Sequence, residues 1–157
     1  MTHIPKPAKR LISVLLACSL LGLMLRCFEY RRVYRPDRVL IATGAELGRP
    51  FEDITFKAGD GVELNGWFFP ASTNSPRQHL AILACHGGAG NISHWLDTCA
   101  ALLASGASVF VFDYRGYGES TGRPSEKRLY ADAEAPIRYL RRERNIPSRE
   151  IVLYAES

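Results

Sequence analysis

Unbroken apolar runs, each ending in a glycine-bearing or polar loop, alternate along this chain with stretches of helical periodicity. Leu80 to Cys85 is a run of six apolar residues that meets His86-Gly-Gly-Ala-Gly90 at once. It is too short for a helix and bare of polar residues on both faces, so it predicts a buried strand in the middle of a parallel sheet. Ala107 to Phe112 repeats the pattern and leads into Asp113-Tyr-Arg-Gly-Tyr-Gly-Glu-Ser120, and Ile151 to Tyr154 begins a third such run before Ala155-Glu156-Ser157. Between the first two runs, Trp95, Leu96, Cys99, Leu102 and Leu103 recur at helical spacing, with Asn91 or Ser93 as N-cap and Gly106 as C-terminal cap. From Ser125 to about Arg144 a second helix would bury Leu129, Ala133, Ile137 and Leu140. Pro136 within it predicts a kink costing about 3 kcal/mol, and Asn145 and Pro147 close it.

Upstream, Ile54 and Phe56 alternate with polar residues, and Val62, Leu64 and Phe68 alternate again until Pro70. Asp60-Gly61 between them supplies the residue types of a two-residue hairpin turn. Hairpin, strand, helix, strand, helix, strand is the order of an α/β protein whose mostly parallel sheet carries an N-terminal antiparallel hairpin.

The first residues read differently. Lys6, Lys9 and Arg10 precede a largely apolar run of fifteen residues from Leu11 to Leu25, and Arg26 follows. As a helix the run spans roughly 23 Å, against a hydrocarbon core of about 30 Å, and extending it to Phe28 comes close to spanning. A membrane anchor or uncleaved signal is the favoured reading. A cleaved signal peptide and lipidation at Cys18, within Leu15-Leu16-Ala17-Cys18, are the alternatives, and positive charge on both flanks leaves orientation open. The domains expected are therefore a membrane anchor or signal segment over 1–28, a basic juxtamembrane linker over 29–50 read as a solvated tether, and an α/β domain over 51–157.

Net charge changes the picture only by its location. Residues 1–38 carry eight Lys or Arg against two acids, whereas residues 39–157 carry twelve against fourteen, so the overall +4 belongs to the N-terminal segment. The globular part gives no reason to expect nucleic acid, and a membrane is the expected partner of the basic segment. Localisation would be membrane-anchored, at the cell envelope in a bacterium. The four cysteines, at 18, 27, 85 and 99, have neither zinc-ligand nor Cys-x-x-Cys spacing. Cys85 and Cys99 read as core residues, and no metal or other cofactor is expected.

The glycine loop after Cys85 has two readings. Gly88-Ala89-Gly90, with Asp113 ending the next strand, partly matches a dinucleotide fingerprint, but the third glycine falls on Ser93 and a hairpin precedes the unit. The other reading explains more residues. His86-Gly87-Gly88, then Asp113 to Ser120 with Gly122 and Pro124-Ser-Glu126, then Ile151 to Ser157, resemble the first half of an α/β-hydrolase. The resemblance is to small membrane-anchored members of the serine-aminopeptidase-like group, over about Ile54 to Ser157. In that superfamily the strand after the second crossover helix ends in a GxSxG elbow, matched here by Ala155, Glu156 and Ser157 with alanine in place of the first glycine.

The resemblance implies Ser157 as nucleophile, the Gly88 amide as one oxyanion donor, and Asp113, Gly116 and Gly118 as shapers of a neighbouring loop. A serine hydroxyl needs a base, and the oxyanion made by its attack needs donors already in place. His86 precedes the serine, whereas the fold's order is serine, acid, histidine, so His86 reads as a structural residue of the loop and Asp113 as a turn-shaping carboxylate. The expected function is the N-terminal part of a serine hydrolase cleaving an ester, thioester or amide through an acyl-enzyme, truncated at the elbow and inactive as 157 residues. A non-catalytic membrane-tethered product is the alternative, with the dinucleotide module behind it.

Overall fold

The computed structural model describes residues 5–156 and divides after Tyr34 into two units. The first is one helix, α1 (Lys6–Val33). It outlasts the apolar run because Arg26 to Val33 contain nothing that breaks a helix, and Arg31 and Arg32 lie in its last turn, where cations oppose the helix dipole. Its leucines, with Val14, Met24 and Phe28, are about half exposed or more on every side. By length and composition Pro7–Val33 is sufficient to cross a membrane, with a mean hydropathy of 2.2 over its most apolar window.

The second unit contains β1 (Arg35–Pro36), β2 (Glu52–Lys57), β3 (Glu63–Phe69), β4 (Ala81–Cys85), β5 (Ala89–Gly90), α2 (Leu96–Leu103), β6 (Ser108–Phe112), α3 (Glu126–Arg142) and β7 (Ile151–Ala155). Five strands form one sheet in the order β2-β3-β6-β4-β7. The first two contacts, β2 with β3 and β3 with β6, are antiparallel; β6 with β4 and β4 with β7 are parallel. The strand and helix order expected from the apolar runs is thus the order observed.

Alternation along the strands sorts the core onto two faces. Phe110 and Phe112 join Phe56, Leu64, Leu83 and Leu140 on the face that α3 covers, whereas Val109 and Val111 join Trp67, Phe69, Ile82, Cys99 and Leu103 on the face that α2 covers. Each such side chain contributes about 1.5–3 kcal/mol by leaving water. That both faces are covered explains why β4 and β6 carry no polar alternation.

Three local features depart from the sequence reading. The hairpin turn is wider than two residues: Ala58 N–H donates to Val62, Gly61 adopts φ +84°, and the Asp60 carboxylate turns to Arg115. The first helical turn at Ile92–Trp95 is 3-10, and α2 ends at Leu103, with Gly106 at φ +86° bonding back to its carbonyl. Residues 35–41, read as tether, are bonded to the loop that follows β4. There β1 pairs in parallel with β5, which gives the backbone groups of this short stretch partners other than water. Helix α3 continues through Pro136, which is buried, to Arg142.

Candidate active site

Strands β4 and β7 run parallel and in register, with Cys85 opposite Ala155, and Glu156 N–H donates to the Cys85 carbonyl at 3.2 Å. The chain thus leaves the sheet at position 156 beside His86. Ser157, the expected nucleophile, lies outside the described residues.

Beyond β4 the backbone is held at two successive peptides. His86 Nδ1 is 2.7 Å from the Gly87 carbonyl, so that nitrogen carries the hydrogen. The peptide is trans, so the Gly88 N–H points the opposite way from the carbonyl that faces the imidazole. Gly88 is exposed. Its own carbonyl accepts from Arg35 N–H at 2.8 Å and from the Tyr117 hydroxyl at 3.0 Å, which fixes the next peptide. The amide of an exposed glycine with both flanking planes held is chemically able to donate to an anion.

His86 is buried among the rings of Tyr114, Tyr117 and Trp95, and its other nitrogen, Nε2, lies 3.1 Å from Asp113 Oδ1. Both side chains are fully buried; the contact is close enough for an ion pair but off-line for a hydrogen bond. Asp113 Oδ1 also accepts from Ile92 N–H at 3.0 Å. Burial pushes the Asp113 carboxyl above its ordinary range, with His86 pulling partly back. Its Oδ2 lies against Gly118, at φ +46°, where an added Cβ would collide with the carboxylate. Asp113 is therefore a structural carboxylate closed to a ribose hydroxyl, and Gly88-Ala89-Gly90 pairs with β1 instead of opening a helix.

The loop from Asp113 to Ser120 is secured from below by charge. Arg115, 1% exposed, donates from Nε and Nη2 to Asp132 of α3 at 2.7–3.0 Å and from both terminal nitrogens to Asp60 of the hairpin turn at 2.7 and 3.0 Å. The backbone N–H of Arg115 reaches the same Asp132 carboxylate at 3.0 Å. Ser120 Oγ donates to the Asp113 carbonyl at 2.7 Å and accepts from Asn65 N–H at 2.9 Å. Sequence reasoning singled out Gly116 and Gly118 here but missed Tyr117, Arg115 and Asp132. No local spacing announces them, because their partners lie in other elements. Cys99 is buried, and its thiol is pushed up to about 12 by desolvation, so it takes no part in nucleophilic chemistry at neutral pH. Two grooves, of about 370 and 380 Å³, follow α3 along Arg138 and Arg142 and share no residue with the loop around Gly88.

A family model described as alpha/beta hydrolase fold matches residues 81–157, the stretch from β4 to the end of the chain. The chain belongs to the α/β-hydrolase superfamily. Among curated relatives, the protein YfhR of Salmonella typhi is 39% identical over 127 residues, covering 79% of this chain and 42% of YfhR. The alpha/beta hydrolase domain-containing protein WAV2 of Arabidopsis thaliana is 32% identical over 143 residues, covering 85% of this chain and 45% of WAV2. Bem46 of Schizosaccharomyces pombe is 32% identical over 122 residues, 77% of this chain and 40% of bem46. This chain thus spans less than half the length of these relatives. The esterase Pf2001 of Pyrococcus furiosus shares the fold, with a TM-score of 0.65 at 24% identity over 77% of this chain and 48% of the esterase. An alpha-beta hydrolase from Vibrio vulnificus superposes with a TM-score of 0.56 at 27% identity, over 66% of this chain and 34% of the other.

Proposed function

We propose that this protein is a membrane-anchored serine hydrolase of the serine-aminopeptidase-like group, cleaving an ester, thioester or amide through an acyl-enzyme. The observation that carries this reading is the amide of exposed Gly88, held on both flanking peptides, near a strand that ends two residues before Ser157. In the proposed reaction the Ser157 hydroxyl attacks the substrate carbonyl carbon while a base takes its proton, and the Gly88 N–H donates to the resulting oxyanion. Collapse expels the leaving group, which takes the proton from the base. Water then cleaves the acyl-serine bond, releasing the acid and restoring the serine. The acid and base follow the serine in this fold's chain order, so residues 1–157 supply the nucleophile and one donor. The length and apolarity of α1 support anchoring.

A serine-reactive fluorophosphonate probe on the whole protein tests the reaction. Labelling that disappears in Ser157→Ala is expected. An unlabelled protein, or labelling that survives the substitution, removes Ser157 from the role. Retention in the membrane pellet after an alkaline carbonate wash tests the anchor, and release into the supernatant would refute it.

A further inference from the structure

The segment that follows α1 is hydrogen-bonded along its length to the glycine loop and to the helical turn after it. Arg35 N–H donates to the Gly88 carbonyl at 2.8 Å, Asp37 N–H to Gly90 at 3.1 Å, and Ile41 N–H to Ser93 Oγ at 3.0 Å. Asp37 in turn accepts from Gly118 N–H at 2.8 Å, so the same segment also touches the loop after β6. One side chain closes the arrangement. Asn91 is fully buried, and its Nδ2 donates to the carbonyls of Asp37 at 3.2 Å and Val39 at 2.8 Å, while its Oδ1 accepts from Ser93 N–H at 2.9 Å to cap the turn before α2.

We propose that residues 35–41 are a strap that sets the direction of the Gly88 amide, and that Asn91 is the positioning residue that clamps the strap in place. As a statement about oxyanion binding, this rests on the hydrolase reading above. Gly87 and Gly88 are adjacent glycines, the residues with most backbone freedom to lose, so the loop cannot hold one amide direction by its own preferences. His86 fixes the plane before Gly88. The plane after it is fixed by Tyr117 and by Arg35, and Arg35 is available only while the strap lies alongside β5. An oxyanion donor is effective to the extent that it is already aimed, so a part of the chain outside the sheet helps to determine reactivity at its edge. The strap begins at the residue after the C-terminal cap of α1, which makes the anchor and the strap consecutive pieces of one covalent segment.

Asn91→Asp separates the clamp from the cap: the carboxylate still accepts from Ser93 N–H but presents no donor to Asp37 and Val39. The experiment is 15N relaxation of the full chain in detergent micelles, read at Gly88, at Asp37 and Ile41, and at the amides of β6 as an internal standard. In the wild type the Gly88 order parameter is expected near the rigid value of about 0.85. In Asn91→Asp it falls below about 0.6 together with Asp37 and Ile41, while β6 stays rigid. Gly88 remaining rigid while Asp37 and Ile41 become mobile would overturn the proposal, as would an unchanged strap. If Asn91→Asp loosens β6 as well, Arg35→Pro makes the decision, since it deletes the one strap donor to Gly88 and Tyr34 already has the extended backbone that precedes a proline. A rigid Gly88 in that variant also overturns it. On the whole protein, Asn91→Asp is expected to slow fluorophosphonate labelling of Ser157 at least tenfold, and labelling at the wild-type rate despite a mobile Gly88 would refute the link to reactivity. An unlabelled wild type would sink the hydrolase reading alone, because the relaxation result decides the strap without any turnover.

Discussion

Replacing Arg115 with methionine tests how the loop after β6 is held. The Arg115 side chain is 1% exposed and that of Asp132 0%, with contacts of 2.7–3.0 Å between them, so neither charge has water as an alternative partner. Removing the cation leaves the Asp132 carboxylate buried and unpaired, which costs about 3–5 kcal/mol. Asp60, the second partner, has 45% of its side chain exposed and is rehydrated easily, so little of the loss comes from it. A domain of this size has only about 5–15 kcal/mol in total, and with a urea m value of about 2 kcal/mol/M the midpoint should fall by about 2 M. Trp67 and Trp95 are both buried and report unfolding of the full chain in detergent by fluorescence. Adding Asp132→Leu to Arg115→Met removes the stranded charge and should recover about 2 kcal/mol, a coupling that a double-mutant cycle measures directly. A loss below about 1 kcal/mol in the single variant, or a double variant as unstable as the sum of the two singles, would refute the buried-charge argument.

Gly118→Ala is expected to cost more than about 1 kcal/mol by the same unfolding assay, because φ there is positive and the added methyl meets the immobile Asp113 carboxylate; an unchanged midpoint would contradict this. Asp113→Asn tests the raised carboxyl through pH. A carboxyl whose folded pKa lies above its ordinary 3.8 favours the folded state below that value, and this contribution is lost as pH rises through the folded pKa. Wild-type stability relative to Asp113→Asn should therefore decline as pH rises from about 4 and level off above the folded pKa. Glu52, held low first by its hydrogen bond from Arg144, has the opposite sign but is common to both proteins and cancels. A difference that is flat, or that grows in the wild type's favour with pH, would show that burial does not dominate at Asp113.

The sequence by itself determined the five strands of the main sheet, the helices and their order, because the pattern of apolar residues is set by the geometry of each element and is read within a few residues. Leu80 to Cys85 and Ala107 to Phe112 have no polar face, which requires cover on both sides and hence a central place in the sheet. The resemblance also set His86 and Asp113 apart from the expected triad, by the superfamily's chain order. Only the tertiary structure decided what holds the Gly88 loop. Arg35, Tyr117 and Asn91 look like a tether cation, a loop aromatic and a helix cap when each is read in its own neighbourhood. Asp60 looks like a turn residue until Arg115, 55 positions away, claims its carboxylate. Backbone preferences and periodicity act between near neighbours. Hydrogen bonds to a buried loop and the pairing of buried charges instead depend on which distant elements the sheet brings alongside, and no local pattern in the chain records that.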